Sequence, residues 1–248
     1  LGSIQAGQGD YFQATKGGGH GDYRLVVFAP ASVQEAIDLM EVAFDTADKY
    51  RNPVMVVADG MICQMMEPVI LPEMKEFVID YEKKPWAANG HGAKDKPSRA
   101  IINSLYITVE ELDGLNERLQ ATYREIEKNE VRYEAYNMEN AEIVVTAFGT
   151  VARICKSAID ELKDEGINVG LLRPITLYPF PTKAIADLAK RGVKGFLSAE
   201  LNAGQMVQDV KLAVNGAAPV EHYGRQGGMM FSPDEVLVAL KEKLINKK

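Results

Sequence analysis

The chain has 248 residues, 46% of them hydrophobic and 25% charged, the balance of a folded globular protein with room for one large α/β domain or two small ones. Its 35 acidic against 28 basic residues give a formal net charge of −7, which repels phosphate backbones, and the pairs Lys83-Lys84 and Lys247-Lys248 are too short to make a basic patch, so no nucleic-acid partner is expected. No apolar run approaches the ~20 residues that cross a bilayer. Nor does a signal peptide open the chain, so no membrane partner is expected. Cys63 and Cys155 exclude a disulfide scaffold and any zinc or iron–sulfur site built from this chain's cysteines alone, and point to a cytoplasmic location.

Residues 1–23 (LGSIQAGQGDYFQATKGGGHGDY) are rich in glycine and read as loop. Arg24–Pro30 reads as a buried strand. Ser32-Val33-Gln34-Glu35 is a capping box. It opens a helix whose apolar stripe is Val33, Ala36, Ile37, Met40, Ala43, Phe44 and Ala47. Asn52-Pro53 ends that helix, and Val54–Ala58 is a second strand, giving a parallel βαβ unit. Two strands and one helix cannot cover both faces of a sheet. Residues 1–80 therefore read as the C-terminal half of an α/β domain whose front half is missing or supplied by another chain.

Residues 81–140 read as a linker, with Pro85, Gly90, Gly92 and Pro97, followed by a long helix. That helix starts at the capping box Thr108-Val109-Glu110-Glu111, runs towards Asn137, and carries Leu112, Leu115, Leu119, Ile126 and Tyr133 on its apolar face. Residues 141–248 alternate cleanly. Strands are predicted at 142–148, 167–173, 194–200 and 219–223, and helices at 150–165, 182–191, 205–215 and 232–246. Gly166, Gly192 and Gly216 stand at helix ends. Ser232-Pro233-Asp234-Glu235 joins a first-turn proline to a capping box. This half reads as a doubly wound, open parallel α/β domain.

Chemistry is harder to find. Phe148-Gly149-Thr150 leads from a strand into a helix N-terminus that can hold an anion, but it lacks the glycines of a dinucleotide fingerprint and reads first as a plain turn. Gly224-Arg225-Gln226-Gly227-Gly228 is either a phosphate clamp through Arg225 or an ordinary surface loop. In the first loop, His20 between Gly19 and Gly21 can act as acid, base or donor, or stand as a surface histidine. His91 and His222 have no metal-ligand spacing to it. Cys63 and Cys155 read as buried small hydrophobes.

The stretch Gly7–Gly60 resembles the α subunit of the 2-oxoacid:ferredoxin oxidoreductases, most closely the branched-chain, 2-oxoisovalerate type. The pattern is carried by Gln8 and Asp10; by Gly18, His20, Gly21 and Asp22; by Ala29, Pro30, Ser32 and Glu35; and by Tyr50, Arg51, Pro53, Val54, Asp59 and Gly60. It continues through NEVRYEAYN, AEIVVTAFGTVARI, LLRPITLYPFP and AELNAGQMVQDV, over essentially the whole chain. The resemblance implies a pyrimidine-binding domain of the thiamine-diphosphate superfamily, incomplete here at its N-terminal part, then a transketolase C-terminal-like domain.

It also implies a reaction, the conversion of a 2-oxoacid and coenzyme A to an acyl-CoA, carbon dioxide and reduced ferredoxin. The family's main catalytic residues have no counterpart in this sequence. Asp10 and His20 remain as substrate-side or gating candidates, and no cofactor-binding residue or metal ligand is assigned. The resemblance places thiamine diphosphate with magnesium at a subunit interface, bound mainly by a partner β subunit. Iron–sulfur clusters belong to partners too, with γ and ferredoxin-like δ subunits completing a hetero-oligomer and ferredoxin as acceptor. Two alternatives stay open: a non-catalytic assembly or regulatory module with this fold, and a transketolase-like protein or dehydrogenase β subunit, against which the Gly18–Asp22 segment argues.

Overall fold

The computed structural model describes residues 4–74, 82–88 and 100–246. Leu1–Ile70 and Tyr123–Lys248 form one compact unit, and Leu71–Thr122 a second. In chain order the elements are α1 (Tyr11–Lys16), β1 (Val26–Phe28), α2 (Val33–Tyr50), β2 (Val54–Val56), α3 (Gly60–Gln64), α4 (Val109–Asn129), β3 (Tyr133–Tyr136), β4 (Ile143–Thr146) and α5 (Gly149–Asp164). Then follow β5 (Val169–Pro174), β6 (Thr176–Tyr178), α6 (Thr182–Arg191), β7 (Gly195–Glu200), α7 (Met206–Val214), β8 (Val220–Gly224) and α8 (Pro233–Leu240), which runs into a π-helical turn at Lys241–Ile245.

The larger sheet has the order β3-β5-β4-β7-β8. Its β5, β4, β7 and β8 are parallel, with Val144 opposite Gly170 and Phe196. The chain leaves β4 in one direction to reach β5 and returns past it to reach β7, the doubly wound arrangement that the alternating sequence predicts. Side chains of β4 alternate between two cores. Val145 faces Val151, Cys155 and Ile159 of α5 with Val236 and Leu240 of α8; Val144 faces Ile185 of α6 with Met206 and Val210 of α7. The capping box at Ser232 forms in full, and Gly192 takes the left-handed conformation (φ +91°) that ends α6.

The smaller sheet, β2-β1-β6, draws on both halves of the chain. β1 and β2 pair parallel, as the βαβ reading predicts, with Val26 opposite Val54. The third strand, β6, pairs antiparallel with β1 and comes from far downstream. Thus Val27 and Ala29 join the same core as Val144 and Leu177. The first block borrows its third strand from within the chain.

Several expectations need correction. The long helix ends at Asn129 instead of running towards Asn137, and residues 133–136 form an antiparallel edge strand on β5, with Ala135 opposite Leu172. The main-chain carbonyl of Arg132 accepts from the amides of Ile175 and Thr176, so the aromatic Tyr-x-x-Tyr segment is held at the sheet edge. The stripe of α2 is rotated from the predicted one: Leu39, Ala43 and Thr46 are buried, whereas Met40 is 47% and Phe44 70% exposed. Its capping box forms by half. Ser32 accepts from the amide of Glu35 at 3.1 Å, but the Glu35 carboxylate is drawn to the amide of Ala31 and to both terminal nitrogens of Arg173. Cys155 is buried as expected, but Cys63 is exposed. His91, Gly90, Gly92, Pro97 and Lys247-Lys248 lie outside the described residues.

Two ionic clusters fasten α2 to the second half of the chain. At its start, buried Arg173 of β5 binds Glu35 in bidentate fashion (2.8 and 2.9 Å) and donates through Nε to Glu134 (2.7 Å), which Lys156 also meets. At its end, buried Glu130 accepts from Lys49 (2.7 Å) and Tyr50 (2.8 Å), with Arg132 beside it. Burial alone would push the Glu130 and Glu134 carboxyls up, but these hydrogen bonds and cations outweigh it and hold both below the usual carboxylate range. Such depressed carboxyls contribute stability that is complete above their unfolded pKa of ~4.3 and fades as pH falls through the lower folded value. The urea midpoint should therefore stay level from pH 7 to about 5 and fall below about pH 4.5. Glu130→Gln should lower the neutral-pH midpoint and flatten that acid limb. An unchanged acid limb in the variant would remove Glu130 from the account.

Candidate functional site

In a doubly wound sheet a crevice opens beyond the carboxyl ends of the strands where the order reverses. Here that point lies between β4 and β7, and a side chain from the start of the protein fills it. Gln8 is buried, donates from Nε2 to the carbonyl of Phe148 just past β4 (2.9 Å), and accepts at Oε1 from the amide of Leu201 just past β7 (3.1 Å). Its main chain joins too: its amide donates to Leu201 O at 3.0 Å, and its carbonyl accepts from Asn202 Nδ2 at 2.8 Å. Four hydrogen bonds thus fix one residue across the two strand ends.

The N-termini of α3, α5 and α7 are satisfied by carboxylates of the chain itself. Asp59, buried at the end of β2, caps α3 by accepting from the amides of Met61 and Ile62 at Oδ1. Its Oδ1 also accepts from the Thr150 hydroxyl (2.7 Å) and its Oδ2 from the Thr150 amide (3.0 Å) at the start of α5. The Phe148-Gly149-Thr150 turn, read first as a plain turn with an anion site as the other reading, thus directs its amide at a carboxylate of the chain itself. Glu200, fully buried, serves α7 in the same way, accepting from the amides of Gln205, Met206 and Val207 and from the Ser198 hydroxyl. Nε2 of His222 lies 4.0 Å from Glu200 and has no hydrogen-bond partner among the described residues. Burial, opposed by Glu200 and reinforced by Lys243 and Lys211, holds the imidazole below its usual pKa.

From Gln8 the chain enters Asp10 and α1. Tyr11 is buried and donates to Asp209 of α7 at 2.6 Å, while Lys16 binds the other oxygen of the same carboxylate. Burial, then Asp209, pushes the Tyr11 hydroxyl well above its usual value, so it remains a donor. Gln205 clasps the segment, accepting from the Phe12 amide and donating to the Gly9 carbonyl, both at 2.8 Å. The loop after α1 closes on Tyr23, whose hydroxyl accepts from the amide of Gly18 at 2.6 Å.

Asp10 is exposed, makes no cap to α1, and lines a small cavity of about 30 Å³ with Gln8, Tyr11, Asp59 and Gly149. His20 is exposed in the loop. No hydrogen bond joins Asp10 to His20 among the described residues. Arg225 is ion-paired with Glu235 of the α8 cap, which answers the phosphate-clamp reading with a structural one. Sequence reasoning named Asp59 only as part of the family pattern, gave it no role, and did not single out Glu200 or Gln205. The signal available was a polar residue just past a predicted strand for Asp59, at the last position of one for Glu200, and at the predicted start of a helix for Gln205.

Gly149 is where the geometry is tightest. Its φ is +57°, and a Cβ there would lie 2.9 Å from Asp59 Oδ2 and 3.1 Å from Gln8 Nε2. Gly166 has a similar φ of +79° with nothing within 4 Å of its Cβ position. Gly166→Ala should cost about 1–2 kcal/mol from backbone strain alone. Gly149→Ala should cost at least about 1 kcal/mol more, because buried hydrogen bonds must yield. Paired urea melts measure the difference, and equal losses would show that the close approach is harmless.

Two family patterns match this chain. Residues 2–135 match the one described as pyruvate flavodoxin/ferredoxin oxidoreductase, thiamine diphosphate-binding, and residues 141–236 the one described as pyruvate:ferredoxin oxidoreductase core domain II. The ketoisovalerate oxidoreductase subunit VorB of Methanothermobacter thermautotrophicus is 46% identical over 242 residues, 98% of this chain and 67% of that protein. The 2-oxoglutarate synthase subunit KorA of Methanocaldococcus jannaschii is 32% identical, over 93% of this chain and 67% of its own length. Among solved structures, 2-oxoglutarate:ferredoxin oxidoreductase from Magnetococcus marinus superposes with a TM-score of 0.73 at 19% identity, over 96% of this chain and 45% of that one. A split-gene transketolase follows with a TM-score of 0.50 at 14% identity, over 90% of this chain and 58% of that one. These last two establish the fold alone: α/β, related to the thiamine-dependent and transketolase-like enzymes. From the sequence matches, the chain belongs to the 2-oxoacid:ferredoxin oxidoreductase family and is a subunit of such an enzyme.

Proposed function

We propose that this chain is the α subunit of a hetero-oligomeric oxidoreductase that converts 2-oxoisovalerate and coenzyme A to the acyl-CoA, carbon dioxide and reduced ferredoxin. The observation that carries the substrate is the 46% identity, along 98% of the chain, to a subunit named for ketoisovalerate. Residues 1–80 are then the C-terminal half of a pyrimidine-binding domain, 81–140 a linker with its helix, and 141–248 the transketolase C-terminal-like domain.

Thiamine diphosphate supplies the carbanion chemistry when bound. The described residues of this chain do not fit its magnesium diphosphate. The helix N-termini of α5 and α7 are occupied by Asp59 and Glu200. Among the described residues, no group of three His, Cys, Asp or Glu side chains is placed to hold a metal ion. The reading therefore puts the diphosphate, its magnesium and the iron–sulfur clusters on partner subunits. No helix among the described residues is long and apolar enough to cross a membrane.

What remains for this chain is placement. Gln8 holds the segment that carries Asp10 at the strand ends, and the Tyr23-pinned loop carries His20 outward. In this reading Asp10 and His20 make substrate-side or gating contacts, one at a fixed position and one on the loop.

The test uses the native complex, tagged on this subunit and purified without oxygen. Thiamine- and CoA-dependent reduction of a viologen dye should be fastest with 2-oxoisovalerate, ahead of pyruvate and 2-oxoglutarate. Preference for another of the three would move the substrate assignment. An intact complex inert towards all of them would favour the non-catalytic module. Asp10→Asn and His20→Gln should each lower kcat/KM by about tenfold or more, with the thermal midpoint unchanged. Full activity in both variants would free these residues of any role.

A further inference from the structure

Asp10 stands at the N-cap position of α1 but does not cap it. Ser32, Asp59 and Ser232, at the same position of α2, α3 and α8, each accept from amides of the helix that follows. The exposed Asp10 carboxylate is therefore not spent on its own helix, and its place is decided by the main chain on either side. On the N-terminal side that chain meets little steric restraint. Gly9 precedes Asp10, glycine turns freely, and nothing lies within 4 Å of where its Cβ would be.

Gln205 supplies the restraint. Its carboxamide donates to the carbonyl of Gly9, part of the peptide that joins residues 9 and 10, and accepts from the amide of Phe12, both at 2.8 Å. Such a clasp needs one side chain that donates and accepts at once, as a carboxamide does and a carboxylate or thioether does not. Gln205 is itself held, its amide donating to Glu200 Oε2 and to Asn202 Oδ1, both at 3.1 Å. Glu200 and Asn202 are both buried, so the clasp is anchored in the core at the end of β7. Gln8 fixes where the segment crosses the strand ends, and Gln205 fixes how it turns at residue 10.

We propose that Gln205 is a positioning residue for Asp10: it holds the main-chain groups around residue 10 and, through them, the place of the carboxylate. The proposal rests on the reading above, in which Asp10 makes a substrate-side or gating contact, and deepens it. Misplacing such a group by about 1 Å can cost about a hundredfold in rate.

The test is a double-mutant cycle in the native complex, read as kcat/KM in the thiamine- and CoA-dependent dye assay with the preferred 2-oxoacid. Gln205→Met should lower kcat/KM by about tenfold or more. Combined with Asp10→Asn it should lower kcat/KM no further than Asp10→Asn does alone. Shifts in thermal midpoint should instead add, because Gln205 bonds to the main chain and not to the Asp10 carboxylate. A merely structural Gln205 would cost activity by the same factor with Asp10 present or replaced. Gln205→Glu keeps the acceptor for Phe12 but sets a carboxylate against the Gly9 carbonyl. It should show the same coupling, and covers the case in which methionine disturbs the start of α7. Full activity in both Gln205 variants, or losses that multiply with that of Asp10→Asn, would overturn the proposal while leaving Asp10 its role. Full activity in Asp10→Asn alone would remove the reading itself, and the proposal with it.

Discussion

Gln8 closes the gap that a doubly wound sheet leaves at its reversal point, and the arrangement of the first block depends on it. Burying a side-chain amide is favourable only when its donors and acceptors are met. Phe148 O and Leu201 N meet both functions of Gln8 from two different strands. The residue can therefore sit in one register only. Sliding the segment by one position would replace the amide with Gly7 or Gly9 and leave strand-end groups without partners. Fixing Gln8 in turn fixes Tyr11, whose hydroxyl reaches Asp209, and so fixes the start of the glycine-rich loop.

The same end of the sheet shows how helix N-termini are used. Each offers amides and a partial positive charge. In α5 and α7 these are directed at Asp59 and Glu200, which arrive from the ends of neighbouring strands. A carboxylate that receives several amide hydrogen bonds ties together every element that supplies them. Asp59 joins β2, α3 and α5 through one group, and its second oxygen lies where a Cβ on residue 149 would intrude. Glycine at 149 is thus required by the carboxylate as well as by its positive φ. At the starts of α5 and α7 the amides are thus directed at carboxylates of the chain itself.

Much of the second half was legible in the sequence because its elements are governed locally. The strand and helix alternation, the Ser232 cap and Gly192 at the end of α6 depend on neighbours within a few residues. What could not be read depends on distant partners. β6 follows β5 almost without a break, and only its pairing with Val27 and Phe28 makes it a strand of the other sheet. Glu35 satisfies the sequence pattern of a capping box, yet Arg173, far along the chain, competes for its carboxylate. Met40 and Phe44 fit a helical stripe as well as Leu39 and Ala43 do; periodicity gives two adjacent faces and no means to choose between them. The segment proposed to carry the site was legible only by residue type. Asp10 and His20 stood out by type, whereas Gln8, named in the sequence only as part of the family pattern, shows what it does only when its two strand ends are in view.

The glycine-rich loop shows why composition alone is ambiguous. Read as sequence, Gly17-Gly18-Gly19 suggests a segment without fixed shape. In the fold its two ends are held. Lys16 is tied to Asp209, and Tyr23 accepts from the amide of Gly18. Gly17 and Gly21 have φ values of +105° and +111°, which a side chain would strain, and the Tyr23 ring lies within 4 Å of a Cβ at either position. These two glycines therefore answer a conformational demand: they let the backbone wrap closely around one aromatic ring. A loop restrained at both ends loses less freedom when its tip makes a contact than a free segment of the same length does. In the proposed reading, where His20 makes a substrate-side or gating contact, that is the advantage of its place between a pinned helix and a pinned tyrosine.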